Sequence, residues 1–247
     1  MKIIKVDPLT IYFLFILVIT GFLVNGIIIF IIVIIHELGH IIMIKHYGYQ
    51  INSINIYPFG GITKIDKDLN TSTNKELLIA SGGIIVQLLL QIIIYIFPVR
   101  LYIKTIFINY NLSILLFNLL PIIPLDGSII VNSILNKYLP FKRSYLINII
   151  ISIIGIVLYI TFNYWYSLNN YLIIGLFIYK IYEYIKNYPL IWNRFLLERY
   201  LHNYKYSKIN TKKGNLNILK IDTYQYFIKN NRVISEKNLL RQLYDKQ

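Results

Sequence analysis

Apolar residues lie in long blocks along this chain instead of recurring at a helical or strand period. A helix of ~20 residues crosses a bilayer core about 30 Å thick, and lipid offers no partner for exposed backbone groups, so such blocks must be helical. Six blocks approach this length, of which the last is the weakest: 9–24, 27–44, 77–97, 105–123, 145–163 and 170–182. The pattern predicts an all-α membrane protein with six transmembrane helices.

The loop after the second block, the N-terminal segment and the C-terminal tail each support a further prediction. Residues 51–66 (INSINIYPFGGITKID) alternate apolar and polar side chains around Pro58, Gly60 and Gly61, which predicts a short β-hairpin at the membrane interface. The first block follows a basic start without a small-residue cleavage site, so we expect a retained first helix. The sequence turns polar and basic near residue 186, which predicts a membrane domain over 1–186 and a basic tail over 187–247. The tail is marginal in length for an independent domain.

Charge supports a membrane setting. The formal net charge is +14, but the basic residues lie mostly between the apolar blocks and in the tail. A membrane surface explains this distribution better than nucleic acid does, so we expect the lipid bilayer and no nucleic acid among the partners. The positions of Lys and Arg predict that both termini and the hairpin face the cytosol. Because the chain has no cysteine, any metal must be held by His, Asp or Glu.

The second block carries the first candidate chemistry. It contains IIFIIVIIHELGHIIMI (28–44), in which His36, Glu37 and His40 interrupt an apolar run. A carboxylate at the bilayer centre costs roughly 2.5 to 3.5 kcal/mol, so its presence calls for a partner or a task. Residues four apart share one helix face, so both imidazoles can bind one zinc ion while Glu37 reaches a water at the metal. Catalytic zinc usually has three protein ligands, so a third one is expected.

Asp126 is the best candidate for that third ligand. Apart from Glu37, it is the one acid embedded in apolar sequence, within NLLPIIPLDGSII. Pro121 and Pro124 break the fourth helix just before it, which frees the chain to turn Asp126 inward. We therefore predict that one Zn²⁺ is held by the imidazoles of HELGH and by Asp126. His46 and His202 lie among basic residues, where a surface role is expected.

These groups predict a membrane metalloendopeptidase. A water deprotonated by Glu37 would attack a peptide carbonyl polarised by the metal, and Glu37 would return the proton to the leaving amine. Helical substrates must first unwind, and the hairpin tip could bind an extended segment by strand addition. That tip consists of Tyr57, Pro58, Phe59, Gly60 and Gly61. An ordinary interfacial turn explains the tip equally well.

Two other functions use the same residues. A metal or proton transporter would use the buried ionisable groups as a pathway. A catalytically idle scaffold would bind a membrane partner without cleaving it. In each case Gly82 and Gly83 on the third block are expected to let helices pack closely.

Several motifs together resemble the site-2 protease family of intramembrane zinc metalloproteases. They are HELGH in the second block, PFGG in the loop after it, a paired glycine in the third block and NLLPIIPLDG in the fourth. Within that family, the sporulation proteases of spore-forming bacteria are most similar. YNLSILLFNLLPIIPLDG, LPF at 139–141 and RFLLERY at 194–200 carry this similarity, which covers roughly residues 25–205.

The resemblance implies a six-helix enzyme that cuts the pro-sequence of a sporulation sigma factor, or another membrane-associated substrate, near the cytosolic side. In a spore former it would lie in the membrane around the forespore, with inhibitory or regulatory membrane proteins as partners. By motif, His36, His40 and Asp126 are zinc ligands and Glu37 is the catalytic carboxylate. Asn118, Pro121 and Pro124 shape the Asp126 segment, with Asn118 as a substrate or backbone contact.

The chain departs from the family pattern at three places. Ser81, Gly82 and Gly83 stand where the family usually has alanine, glycine and proline, and Ser128 follows LDG where a glycine is common. These changes are expected to alter packing more than chemistry. The sporulation subgroup normally ends in a nucleotide-binding CBS-type module. The tail is too short for a complete module and is interpreted as a truncated remnant.

Overall fold

The computed structural model describes residues 4–6, 8, 12, 19–57, 60–162, 168–206, 208–229 and 232–245. The chain divides into two compact units. The first contains residues 1–67 and 78–119, and the second contains residues 68–77 and 120–247.

Three helices build most of the first unit: α1 (Leu23–His46), the larger part of α2 (Thr73–Ile96) and α3 (Leu101–Leu119). Their shared core is apolar, with Ile28, Ile32 and Phe107 buried. Much of the remaining helix surface is both apolar and exposed, including Ile92 and Leu89. Helices whose outer faces are as apolar as their cores are typical of membrane spans.

A small sheet belongs to the same unit. Strand β2 (Gln50–Tyr57) pairs antiparallel with β3 (Gly60–Asp66), and β1 (Ile4–Val6) pairs parallel with β2. The predicted hairpin is therefore present as a backbone element, while β1 was not predicted. The predicted first span, 9–24, lies mostly outside the described residues.

The second unit contains α4 (Asp126–Tyr138), α5 (Phe141–Phe162) and α6 (Leu168–Leu201). Helix α4 was not predicted, because its sequence is too short and too polar to resemble a span. Helix α6 continues well past the predicted end of the sixth block at residue 182. The change to polar composition does not end this helix, because lysine, asparagine and tyrosine are all tolerated in helices.

Among the described helices, three are long and apolar enough to cross a membrane: Leu23–His46, Thr73–Ile96 and the Phe141–Thr161 part of α5. The protein is thus mostly helical and has apolar helices of membrane-spanning length, as predicted. The count of six spans stays a prediction.

The tail folds as β4 (Lys208–Lys213), a 3₁₀ turn (Leu216–Ile218), β5 (Thr223–Lys229), β6 (Arg232–Ser235) and α7 (Glu236–Tyr244). Strand β5 lies between β4 and β6. The tail shares its core with α5 and α6, since Phe227 and Leu240 are buried in one cluster with Phe141 and Phe195. The rings of Phe141 and Phe195 stack with their centroids 4.3 Å apart. A segment of marginal length is stabilised here by packing against the helices that precede it.

Candidate metal centre

Helix α1 places the two HELGH imidazoles side by side. His36 is 5% exposed, His40 and Glu37 are half-buried, and the two histidine rings meet edge to face with centroids 4.7 Å apart. Their Nε2 atoms lie 3.0 Å from each other. The i, i+4 spacing therefore directs both Nε2 atoms at one point, as the sequence predicted.

Each imidazole is oriented through its other nitrogen. His40 Nδ1 lies 2.9 Å from the backbone oxygen of Ile79, and His36 Nδ1 lies 2.8 Å from Gln87 Oε1. Because these oxygens only accept hydrogen bonds, both Nδ1 atoms must donate. The neutral form of each ring then has its lone pair on Nε2.

With both protons on Nδ1, the two facing Nε2 atoms need a positively charged group between them. Two Nε2 lone pairs 3.0 Å apart repel each other unless a cation or a proton lies between them. A divalent metal satisfies both lone pairs, and neutral imidazole is a preferred zinc ligand. The donor chemistry of this histidine pair therefore fits a metal ion.

Glycines let α1 and α2 approach closely at the histidines. A Cβ on Gly39 would lie 2.8 Å from the Gly82 carbonyl carbon, and one on Gly82 would lie 2.6 Å from the Gly39 oxygen. A Cβ on Gly83 would lie 2.5 Å from both His36 Cε1 and His40 Nε2. The structure is consistent with the expected packing role of Gly82 and Gly83, and it shows that Gly83 also makes room for the imidazoles.

The second unit positions Asp126 at the first turn of α4. Helix α3 ends at Leu119, and the chain then turns through Pro121 and Pro124, as predicted from the prolines. The Ile123–Pro124 peptide bond is cis. Asp126 is half-buried, and a carboxylate is favoured at a helix N-terminus by the helix dipole.

Helix α5 anchors the turn that leads to Asp126. The backbone N–H of Ile123 donates to Ser152 Oγ over 3.2 Å, and Asn148 Nδ2 donates to Ser128 Oγ over 3.3 Å. Gly155 leaves room for the Ile122 side chain, since a Cβ there would lie 2.7 Å from Ile122 Cγ1. Ser128, which departs from the family pattern, therefore has a packing and hydrogen-bonding role.

The third predicted ligand, Asp126, belongs to the second unit, whereas His36 and His40 belong to the first. The other two histidines are exposed: His46 is the last residue of α1, and His202 directly follows the end of α6.

Comparison with known proteins identifies what the segment with the two HELGH histidines is similar to. Residues 25–103 match Peptidase family M50. This stretch, which contains HELGH, is therefore similar to an M50 domain. The family resemblance predicted from the motifs is thereby confirmed.

Relatives of this M50 domain include two curated proteins and one solved structure. The chain is 29% identical to Stage IV sporulation protein FB of Bacillus subtilis over 68% of its own length and 61% of that protein. It is 34% identical to a zinc metalloprotease of Methanocaldococcus jannaschii over 48% of its length and 36% of that protein. The site-2 protease structure from Methanocaldococcus jannaschii has 25% identity and a TM-score of 0.50, covering 78% of this chain and 90% of that one. The chain thus spans less than two thirds of each of these curated relatives.

The structure describes only part of the remaining predicted site residues. Asn118 is half-buried near the C-terminal end of α3. Tyr57 pairs with Gly60, and Gly61 pairs with Ile56, so the hairpin closes as predicted. Pro58 and Phe59 lie outside the described residues. Strand β3 stands at one edge of its three-stranded sheet, where it has one paired neighbour among the described strands.

The sequence analysis missed the polar residues that support the histidine pair. Gln87 and Asn111 are both fully buried, and Gln91 lies one turn from Gln87. A glutamine that interrupts an apolar block was the available signal, since its side chain needs a polar partner in lipid. Its partner could not be deduced from the sequence because it lies 51 positions away along the chain.

Proposed function

We propose that this chain is an intramembrane zinc metalloprotease that hydrolyses a peptide bond of a membrane-associated protein. One observation carries the proposal: the Nε2 atoms of the two HELGH imidazoles lie 3.0 Å apart, and Glu37 follows His36 in the same helix. The M50 match supports the same function.

Zinc would be held by His36 and His40 through Nε2 and by the Asp126 carboxylate. Three protein ligands leave one coordination position for water, which is typical of catalytic zinc and not of structural zinc. Bound zinc would lower the pKa of that water and polarise the peptide carbonyl.

Glu37 would move the proton. It follows His36 directly in α1 and is half-buried, so its carboxylate would reach a water at the metal from the neighbouring position on the helix. One Glu37 oxygen would take the proton of the attacking water and then deliver it to the nitrogen of the leaving amine.

Substrate positioning would fall to two segments. Asn118, with Pro121 and Pro124, would shape the chain around Asp126. The hairpin tip, Tyr57 to Gly61, would bind an unwound substrate along the free side of β3 by strand addition. The described backbone fits this role, since β3 lies at a sheet edge.

The similarity to a sporulation protein guides the choice of substrate. We propose a sigma-factor precursor as the substrate, six spans with both termini in the cytosol, and the membrane around the forespore as the location. Inhibitory or regulatory membrane proteins would be further partners.

Co-expression with a sigma-factor precursor tests the function. We expect the wild type to release a shortened fragment, and Glu37→Gln to retain bound zinc but release none. Glu183→Gln is the matched control, because Glu183 lies on α6 and pairs with Lys180 over 2.8 Å. Cleavage by Glu37→Gln at the wild-type rate would refute the proposed base. Metal-dependent flux in vesicles without any proteolysis would favour the transporter, and zinc-free protein without either activity would favour the scaffold.

A further inference from the structure

We infer that Gln87 is the positioning residue of the metal site, and that its own orientation is set by a chain of three amide side chains, two of which are fully buried. The inference rests on the proposed zinc site and adds to it a group outside HELGH and LDG. All four side chains involved, those of His36, Gln87, Asn111 and Gln91, belong to the first unit.

The chain of hydrogen bonds starts at the backbone carbonyl oxygen of Gln87, which can only accept. Asn111 Nδ2 lies 3.1 Å from the backbone oxygen of Gln87 and 2.6 Å from Gln91 Oε1. A backbone carbonyl oxygen only accepts, so the amide nitrogen of Asn111 must face it. Asn111 Oδ1 then points the other way.

The orientation of Asn111 determines that of Gln87. Gln87 Nε2 donates to Asn111 Oδ1 over 3.3 Å, so Gln87 Oε1 must face His36 Nδ1, which lies 2.8 Å away. His36 Nδ1 therefore carries the proton, and Nε2 presents the lone pair that can bind a metal. A reversed Gln87 amide would present an N–H to Nδ1 and favour the opposite tautomer.

Burial makes this arrangement stable. Gln87 and Asn111 are both 0% exposed, so water cannot replace a lost partner. An unsatisfied buried amide costs about 1 to 3 kcal/mol, which makes the reversed orientation unfavourable. Residues that accept the second N–H of a metal-bound histidine also orient its ring and raise its basicity.

His40 uses a different acceptor. Its Nδ1 donates to the backbone oxygen of Ile79, a group that no substitution removes. The tautomer of His36, by contrast, depends on the Gln87 side chain, which a substitution can change.

Zinc affinity of the purified full-length protein tests the inference, measured by chelator competition. Gln87→Met keeps the length of the side chain and removes the acceptor, and we expect about a 10 to 100-fold weaker zinc affinity. Gln87→Glu keeps an oxygen acceptor and should retain most of the affinity. Asn25→Leu is the control for loss of a polar contact in the same unit, since Asn25 Nδ2 donates to the Tyr110 hydroxyl over 3.0 Å. It should bind zinc as the wild type does.

Melting temperatures with and without zinc separate positioning from structure. If Gln87 positions the metal site, zinc should raise the melting temperature of Gln87→Met by less than it raises that of the wild type. If its role is merely structural, the melting temperatures of Gln87→Met with and without zinc should fall by the same amount. Equal zinc affinity in Gln87→Met and wild type would overturn the inference, as would an equal loss in Gln87→Met and Gln87→Glu. If Gln87→Met does not fold, Asn111→Leu tests the inference instead. That variant removes the acceptor of the Gln87 N–H, so the Gln87 amide can reverse and zinc affinity should fall. A wild type that binds no zinc would instead refute the proposed function.

Discussion

Gly83 offers a direct test of how closely the helices must approach at the histidine pair. Replacing it with alanine would put a Cβ 2.5 Å from His36 Cε1 and from His40 Nε2. Carbon and nitrogen atoms prefer a separation of ~3.5 Å or more, so the rings must move by about 1 Å. Functional groups must usually stay within about 0.5 Å of the productive geometry. We therefore expect Gly83→Ala to weaken zinc binding by about tenfold or more, comparable to the loss of a group that orients a ligand.

Stability should change much less than zinc binding. Alanine is favoured over glycine in a helix by about 1 kcal/mol, whereas overpacking typically costs about 1 to 3 kcal/mol. The net loss for Gly83→Ala is therefore about 0 to 2 kcal/mol. Gly175→Ala is the matched control, because nothing lies within 4 Å of a Cβ at that position on α6. It should gain up to about 1 kcal/mol and leave zinc binding unchanged.

Zinc titration and thermal unfolding in detergent measure the two quantities separately. The reasoning predicts a protein that still folds but has lost affinity for zinc. Wild-type zinc affinity in Gly83→Ala would show that the imidazoles tolerate the extra carbon, and the close approach at Gly83 would then have no bearing on the metal site.

Three further predictions concern the tail, the turn before Asp126 and the metal. Arg199 donates to both Glu236 oxygens at 3.2 and 3.1 Å, and Glu236 is 2% exposed. Burial raises the pKa of the Glu236 carboxyl, and Arg199 opposes that shift. Arg199→Met should therefore lower the free energy of unfolding by about 3 to 5 kcal/mol and expose the tail to protease, and the double variant with Glu236→Met should recover most of the loss. A tail that stays protected in Arg199→Met would contradict this. Ser152→Ala leaves the buried N–H of Ile123 without its acceptor, so we expect the free energy of unfolding to fall by about 1 to 3 kcal/mol and substrate cleavage to slow. Unchanged thermal unfolding would contradict this expectation. Chelation should lower the melting temperature of the wild type but not of His36→Ala, and equal shifts in both would count against the metal site.

The sequence predicted those parts of the structure that depend on local pattern. The HELGH spacing fixed which side chains share a face of α1, and the two prolines predicted the end of α3 before Pro121. Alternation and the glycines predicted the β2–β3 hairpin. Each of these features is determined within a few residues along the chain.

Features that depend on distant contacts were not predictable in the same way. The tail sequence KINTKK reads as solvated, and every residue of β4 is exposed, yet the segment is a strand because β5 pairs with it. Its stability comes from Phe227 and Leu240, which need the core formed around Phe141 and Phe195. Composition alone could not reveal that core.

The amide chain behind His36 also bears on the choice between protease and transporter. A proton pathway needs groups that gain and release protons, such as acids or histidines. Gln87, Asn111 and Gln91 lead away from His36 into the helix core, and none of these amides titrates. Their fixed donor and acceptor directions instead hold one ring in one tautomer, which a metal ligand requires and a proton carrier must be able to change. The polar residues on this side of the histidine pair therefore favour a static metal site, and thus the hydrolytic function, over proton transport.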